Sequence, residues 1–73
     1  MTRQMTAIIE REGDIYVALC PELDIASQGS SVSEARSNLK EALELFYEAA
    51  SDNEIQRRLH DEIYVTNVEV AGG

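Results

Sequence analysis

The chain has one cysteine, one proline, no tryptophan and only six basic residues among its 73. A lone thiol excludes an intramolecular disulfide, and with a single histidine beside it there is no Cys/His cluster to hold a structural zinc. A single thiol also suits a reducing compartment. Six basic residues against fourteen acidic ones leave a formal net charge of −8. That charge repels a phosphate backbone, so direct nucleic-acid binding by this chain alone is not expected. It favours encounter with a basic protein instead. The plainer reading is that an acidic surface keeps a small domain soluble. Long apolar runs are missing too. None spans a bilayer, and the first residues lack the apolar core of a signal peptide. The expectation is a cytoplasmic chain with no membrane association, no cofactor and no metal.

With 73 residues the chain makes one domain, 1–73. A domain of this size buries only about 60% of its unfolded surface, so its core gains from a partner or a second copy. A homodimer or larger homo-oligomer is therefore expected.

What the chain does contain is one long helical signal, at about 32–50. Ser31 is followed three residues later by Glu34, the spacing of a capping box. Val32, Ala35, Leu39, Ala42, Leu43, Phe46, Ala49 and Ala50 recur at offsets of three and four, which places them on one helical face. Glu34, Glu41, Glu44 and Glu48 fall roughly opposite. Neither Gly nor Pro interrupts the run.

Ahead of it, residues 4–10 and 14–20 are rich in Ile, Val and Tyr, with Arg11-Glu12-Gly13 between them, which predicts a β-hairpin. Pro21 ends the second strand because it cannot donate to a ladder. Residues 24–29 predict a shorter third strand. After the helix, Ser51 and Glu54 repeat the capping spacing and predict a short second helix at 52–59. Residues 62–70, EIYVTNVEV, predict a fourth strand. A right-handed crossover from the third strand to a fourth lying beside the first gives the order 3-2-1-4, a two-layer α+β domain with the helix on one sheet face.

The second strand alternates Ile15, Val17 and Leu19 on one face with Tyr16, Ala18 and Cys20 on the other. Both sets are apolar, yet only one long helix is available to cover them. A second sheet face or a sheet edge is therefore expected to meet another chain, unless these are ordinary scattered surface apolar residues.

The residues Tyr16-x-Ala18, Pro21-Glu22-Leu23, Gly29-x-Ser31-x-x-Glu34-Ala35, Asn38-Leu39 and Glu41-Ala42-Leu43-Glu44-Leu45 resemble, in this order, the HicB-like antitoxin family of type II toxin–antitoxin systems. The likeness is clear over residues 14–48. No single piece is diagnostic; their succession is. The resemblance implies a trimmed ribonuclease H-like fold. It also implies a partner, a small basic HicA-type toxin that cleaves messenger RNA with a histidine and whose active site the antitoxin occludes. Many members carry a C-terminal helix-turn-helix or ribbon-helix-helix that binds the operator. This chain stops shortly after its fourth strand, so the resemblance is to a short form without that DNA-binding part. A ribonuclease H site needs carboxylates gathered on divalent metal, one of them inside the first strand. The interior of Met5-Thr6-Ala7-Ile8-Ile9 has no acid, so the chain is not expected to be an enzyme.

The candidate partner-binding residues are Glu22, Asp24, Tyr16, Glu34 and Glu41. Glu22 and Asp24 are paired carboxylates in a turn, suited to a basic partner and equally to a solvated turn. Glu34 and Glu41 belong to a helix face that is most simply solvated, and Glu34 also complements the helix dipole. His60 has no co-ligand or nucleophile nearby in sequence. Cys20 reads as a packing residue, and Gly29 as the residue that permits the turn into the helix. Two alternatives to an antitoxin stand beside it. One is a stand-alone oligomeric domain with a regulatory or structural role and no toxin. The other is a ribonuclease H-like nucleic-acid-binding protein.

Overall fold

A computed structural model describes residues 3–60 and 62–72. The elements run β1 (Ile8–Glu12), β2 (Ile15–Cys20), β3 (Ile25–Gly29), α1 (Val32–Ala49) and α2 (Asp52–Arg58). The architecture is α+β, an antiparallel sheet in the order β1-β2-β3 with two helices.

The hairpin closes with Glu12 opposite Ile15 across Gly13 and Asp14. Gly13 has φ 63°. A positive φ at the first of two central residues is the position that a tight hairpin turn reserves for glycine. β1 begins later than the expected 4–10, and the reason lies across the ladder. Ile8 pairs with Leu19, and Pro21, just past the end of β2, has no N–H to offer residues further back. The segment ahead of Ile8 is held by a side chain instead, as described below.

α1 starts as its sequence predicts. Ser31 Oγ accepts from Glu34 N at 3.0 Å, and the Glu34 carboxylate accepts from Ser30 N at 2.8 Å. Ser51 caps α2 in the same way, accepting from Glu54 N at 3.1 Å. α1 lies over the sheet face that carries Tyr16, Ala18 and Cys20. The fully buried set is Ala18, Cys20, Leu23, Ala35 and Leu39, with Ile9, Ile25, Leu43, Phe46 and Leu59 among the half-buried residues around it. Leu23 and Leu39 are the largest buried side chains, each stabilising the fold by about 2 kcal/mol through burial. This is a small core.

Gly29 is buried at the end of β3, and it permits the turn into the helix by lacking a side chain. Its φ is not positive. A Cβ there would stand 2.6 Å from Ala35 N and 2.8 Å from Glu34 C. The missing side chain is what lets the first turn of α1 close onto the sheet.

The fourth strand expected at 62–70 does not join the sheet, and the order 3-2-1-4 is not reached within this chain. Residues 62–72 form neither strand nor helix. Tyr64, Val65, Val68 and Val70 are 69–81% exposed. Strand propensity marks this stretch as fit for a sheet, but pairing needs an edge brought to it by the rest of the fold.

Candidate partner-binding site

The turn after β2 places the two expected carboxylates in different roles. Glu22 faces inward. Its Oε2 accepts from Thr6 N at 3.0 Å and from Thr6 Oγ1 at 2.8 Å, while Oε1 accepts from Cys20 Sγ at 3.4 Å. Its backbone carbonyl accepts from His60 N at 2.8 Å. Partial burial raises the Glu22 pKa, but the hydrogen bonds from Thr6, Cys20 and its own backbone outweigh it and hold the carboxyl below its ordinary value. Burial pushes the Cys20 thiol up, and the neighbouring Glu22 charge adds to that, so Cys20 is a packed, protonated thiol.

Asp24 faces outward. It sits in the left-handed region at φ 55°, a conformation that Asp tolerates better than most residues. Its carboxylate lies 3.1 Å from His60 Nε2, with both side chains more than half exposed. An exposed pair of this kind contributes little stability. Arg58 completes the turn's support, donating to Leu23 O at 2.9 Å with its guanidinium 5.1 Å from the centre of the Phe46 ring. α2 is thereby folded back onto the β2–β3 turn. The pairing of His60 with Asp24 crosses 36 residues and carried no signal in the sequence.

The remaining expected residues separate in the same manner. Tyr16 lies half-buried against the core. Glu34 is committed to Ser30 and the helix start. Glu41 is exposed on α1. Asp24, Glu34 and Glu41 are exposed, and Glu22 and Tyr16 are half-buried.

A different surface emerges from the ladder. Direct pairing puts Ile8, Leu19 and Ala26 in one row of the sheet face turned away from α1, Glu10, Val17 and Gln28 in the next, and Glu12 with Ile15 in the last. No element covers this face among the described residues. Ile8 is 43%, Ile15 36% and Leu19 37% exposed. The result is an apolar stripe bordered along β1 by Glu10 and Glu12. The alternation in β2 contained this signal, but the acidic border depends on β1 reaching Glu12. It also corrects the expectation of an acid-free first strand, since Glu10 stands at its centre. Among the described residues no three His, Cys, Asp or Glu side chains are grouped as a metal ion would require. No helix among them is long and apolar enough to cross a membrane.

The fold and this surface define a small α+β domain with one sheet face covered by a helix and the other open. Among known proteins, the UPF0150 protein ssl0738 of Synechocystis sp. is 41% identical over 64 residues, a match covering 85% of this chain and 88% of that protein. The chain belongs to the UPF0150 family. No family model matches it, and no solved structure matches it.

Proposed function

We propose that the chain is a HicB-like antitoxin, a protein-binding module that occludes the active site of a small basic HicA-type ribonuclease. The observation that carries this reading is the open sheet face, an apolar stripe of Ile8, Ile15, Val17 and Leu19 bordered by Glu10 and Glu12. An apolar centre with a charged rim is the usual anatomy of a specific protein interface. On a chain of net charge −8 the complementary partner is basic. The succession of sequence pieces shared with HicB-like antitoxins supports the same reading. So does the physical role of two of them, the Gly29 contact with α1 and the Ser31–Glu34 cap.

On this reading the β1-β2-β3-α1 body is that of a trimmed ribonuclease H-like fold. The order 3-2-1-4 is completed when residues 62–70 lie along β1. The function asks for no catalysis by this chain, works in the cytoplasm and needs no DNA contact. Glu10 within β1 keeps a metal-dependent ribonuclease as the competing reading, and an RNA-cleavage assay of the purified chain with magnesium or manganese tests it directly.

The main experiment is a tagged pull-down from the native cell, followed by cleavage assays on what co-purifies. The antitoxin reading expects a small basic ribonuclease in stoichiometric amount, silenced when one equivalent of this chain is added. Recovery of this chain alone favours the stand-alone oligomeric domain.

A further inference from the structure

Two unfinished parts of the molecule match each other. The first is the segment 62–70. It has strand composition and no pairing, and it displays Tyr64 at 81%, Val65 at 69%, Val68 at 79% and Val70 at 80% exposure. Period-two alternation puts Tyr64, Thr66, Val68 and Val70 on one side of an extended chain. Its one side-chain hydrogen bond among the described residues is local, Tyr64 Oη to Glu62 at 2.7 Å. The segment stands clear of its own body. The radius of gyration is 14.3 Å, against about 11 Å for a compact chain of this length.

The second part is the β1 side of the sheet. The two sheet edges are not alike. At β3, the Asn38 side chain of α1 donates to Gln28 O at 2.8 Å, which occupies part of that edge. No further strand pairs with the outer edge of β1 among the described residues. Beside it, residues 3–7 and the flank of α1 at Leu39, Leu43 and Tyr47 enclose an open groove of about 610 Å³. Apolar side chains of an added strand would fill the groove over Leu39 and Leu43.

The lengths agree. Nine residues of strand span about 30 Å, and the eight positions from Met5 to Glu12 span about 26 Å. The root of the segment is fixed close to the start of that edge. Leu59 packs on the core, His60 N donates to Glu22 O, and Glu22 in turn holds Thr6. From this anchored root the segment runs outward and leaves its own β1 edge empty.

We infer that residues 62–70 of one copy form the fourth strand of a second copy, along its β1 edge and over its groove, in a reciprocal exchange. This rests on reading 62–70 as the fourth strand and is independent of the toxin. The occupant is a second copy because the donor segment and the acceptor edge reside on the same chain, are unpaired with each other within it, and each lacks what the other carries. Two-fold exchange satisfies both at once.

The test uses the full chain in two measurements. In sedimentation equilibrium at tens of micromolar, the wild type is expected at twice the 8.1 kDa chain mass. Val68→Pro, at an exposed position, removes an N–H from the donated strand and is expected to weaken dimerisation at least tenfold. Leu19→Asp, on the open sheet face, should leave the dimer intact. In an equal mixture of isotope-labelled and unlabelled wild-type chain, isotope-filtered NOEs are expected between residues 62–70 of one copy and 8–12 of the other. A monomer showing those contacts within one chain overturns the exchange and leaves the fourth strand standing. A dimer lost with Leu19→Asp and kept with Val68→Pro overturns both, as does a monomer with no such contacts.

Discussion

Glu22 and Thr6, sixteen residues apart, are joined by two hydrogen bonds to one carboxylate oxygen, from the Thr6 backbone N–H and from its hydroxyl. Through this pair the segment before β1 is tied to the β2–β3 turn, and the Glu22 carbonyl ties the end of α2 to the same point. Glu22→Gln keeps the shape but loses the charge from both bonds. It is expected to cost about 2 kcal/mol in urea unfolding at pH 7. Thr6→Ala should cost less, because the backbone bond remains.

The same carboxylate makes stability pH-dependent, with a definite sign. Its folded pKa is lowered below the ordinary carboxylate value, so the unfolded chain binds its proton first as pH falls. The stabilisation is complete above the unfolded pKa and is lost as pH drops through the folded one. Urea midpoints measured from pH 7 down to pH 3 should fall on the acid side for the wild type and fall less steeply for Glu22→Gln. Equal slopes would remove Glu22 from the account.

Gly29→Ala meets backbone on the α1 side, with Ala35 N 2.6 Å from the new Cβ. Backbone cannot swing aside as a side chain does, so α1 must lift from β3. The expected loss is about 2 kcal/mol, and unfolding in urea measures it. A loss under about 0.5 kcal/mol would mean that glycine serves only the turn.

Leu19→Asp separates folding from binding. Leu19 is 37% exposed on the open sheet face, so the change should cost less than about 1 kcal/mol of stability. Its affinity for a basic ribonuclease toxin should fall at least tenfold, about 1.4 kcal/mol. Glu41→Lys on α1 is the control and should leave affinity within threefold. The reverse order of effects would move the interface to the helix.

Arg58→Ala removes the hydrogen bond to Leu23 O and the contact with the Phe46 ring. The expected cost is about 1 kcal/mol, and it is local. Hydrogen exchange should quicken at the Leu59 and His60 amides while those of β2 keep their protection.

The parts of this molecule that were legible in its sequence are those whose causes lie within a few residues. Ser31 with Glu34, and Ser51 with Glu54, are such causes, and both caps form where their spacing predicts. The hairpin glycine is another. The helix face of the sheet was not legible, because Tyr16, Ala18 and Cys20 look no more apolar than Ile15, Val17 and Leu19. Only the packing of α1 decides between them. The bonds of Glu22 to Thr6 were not legible, since Thr6 is far off along the chain. Residues 62–70 carry the composition of a strand, but composition does not supply an edge to pair with.

The unlike edges of the sheet have a further consequence. The Asn38 side chain bonds Gln28 O at β3, whereas no strand pairs with the outer side of β1 among the described residues, so strand addition meets less obstruction at β1. Two copies that exchange their arms fill both β1 sides and turn only their β3 edges toward a third. Asn38→Ala removes the side-chain bond to Gln28 O and frees that carbonyl for further pairing.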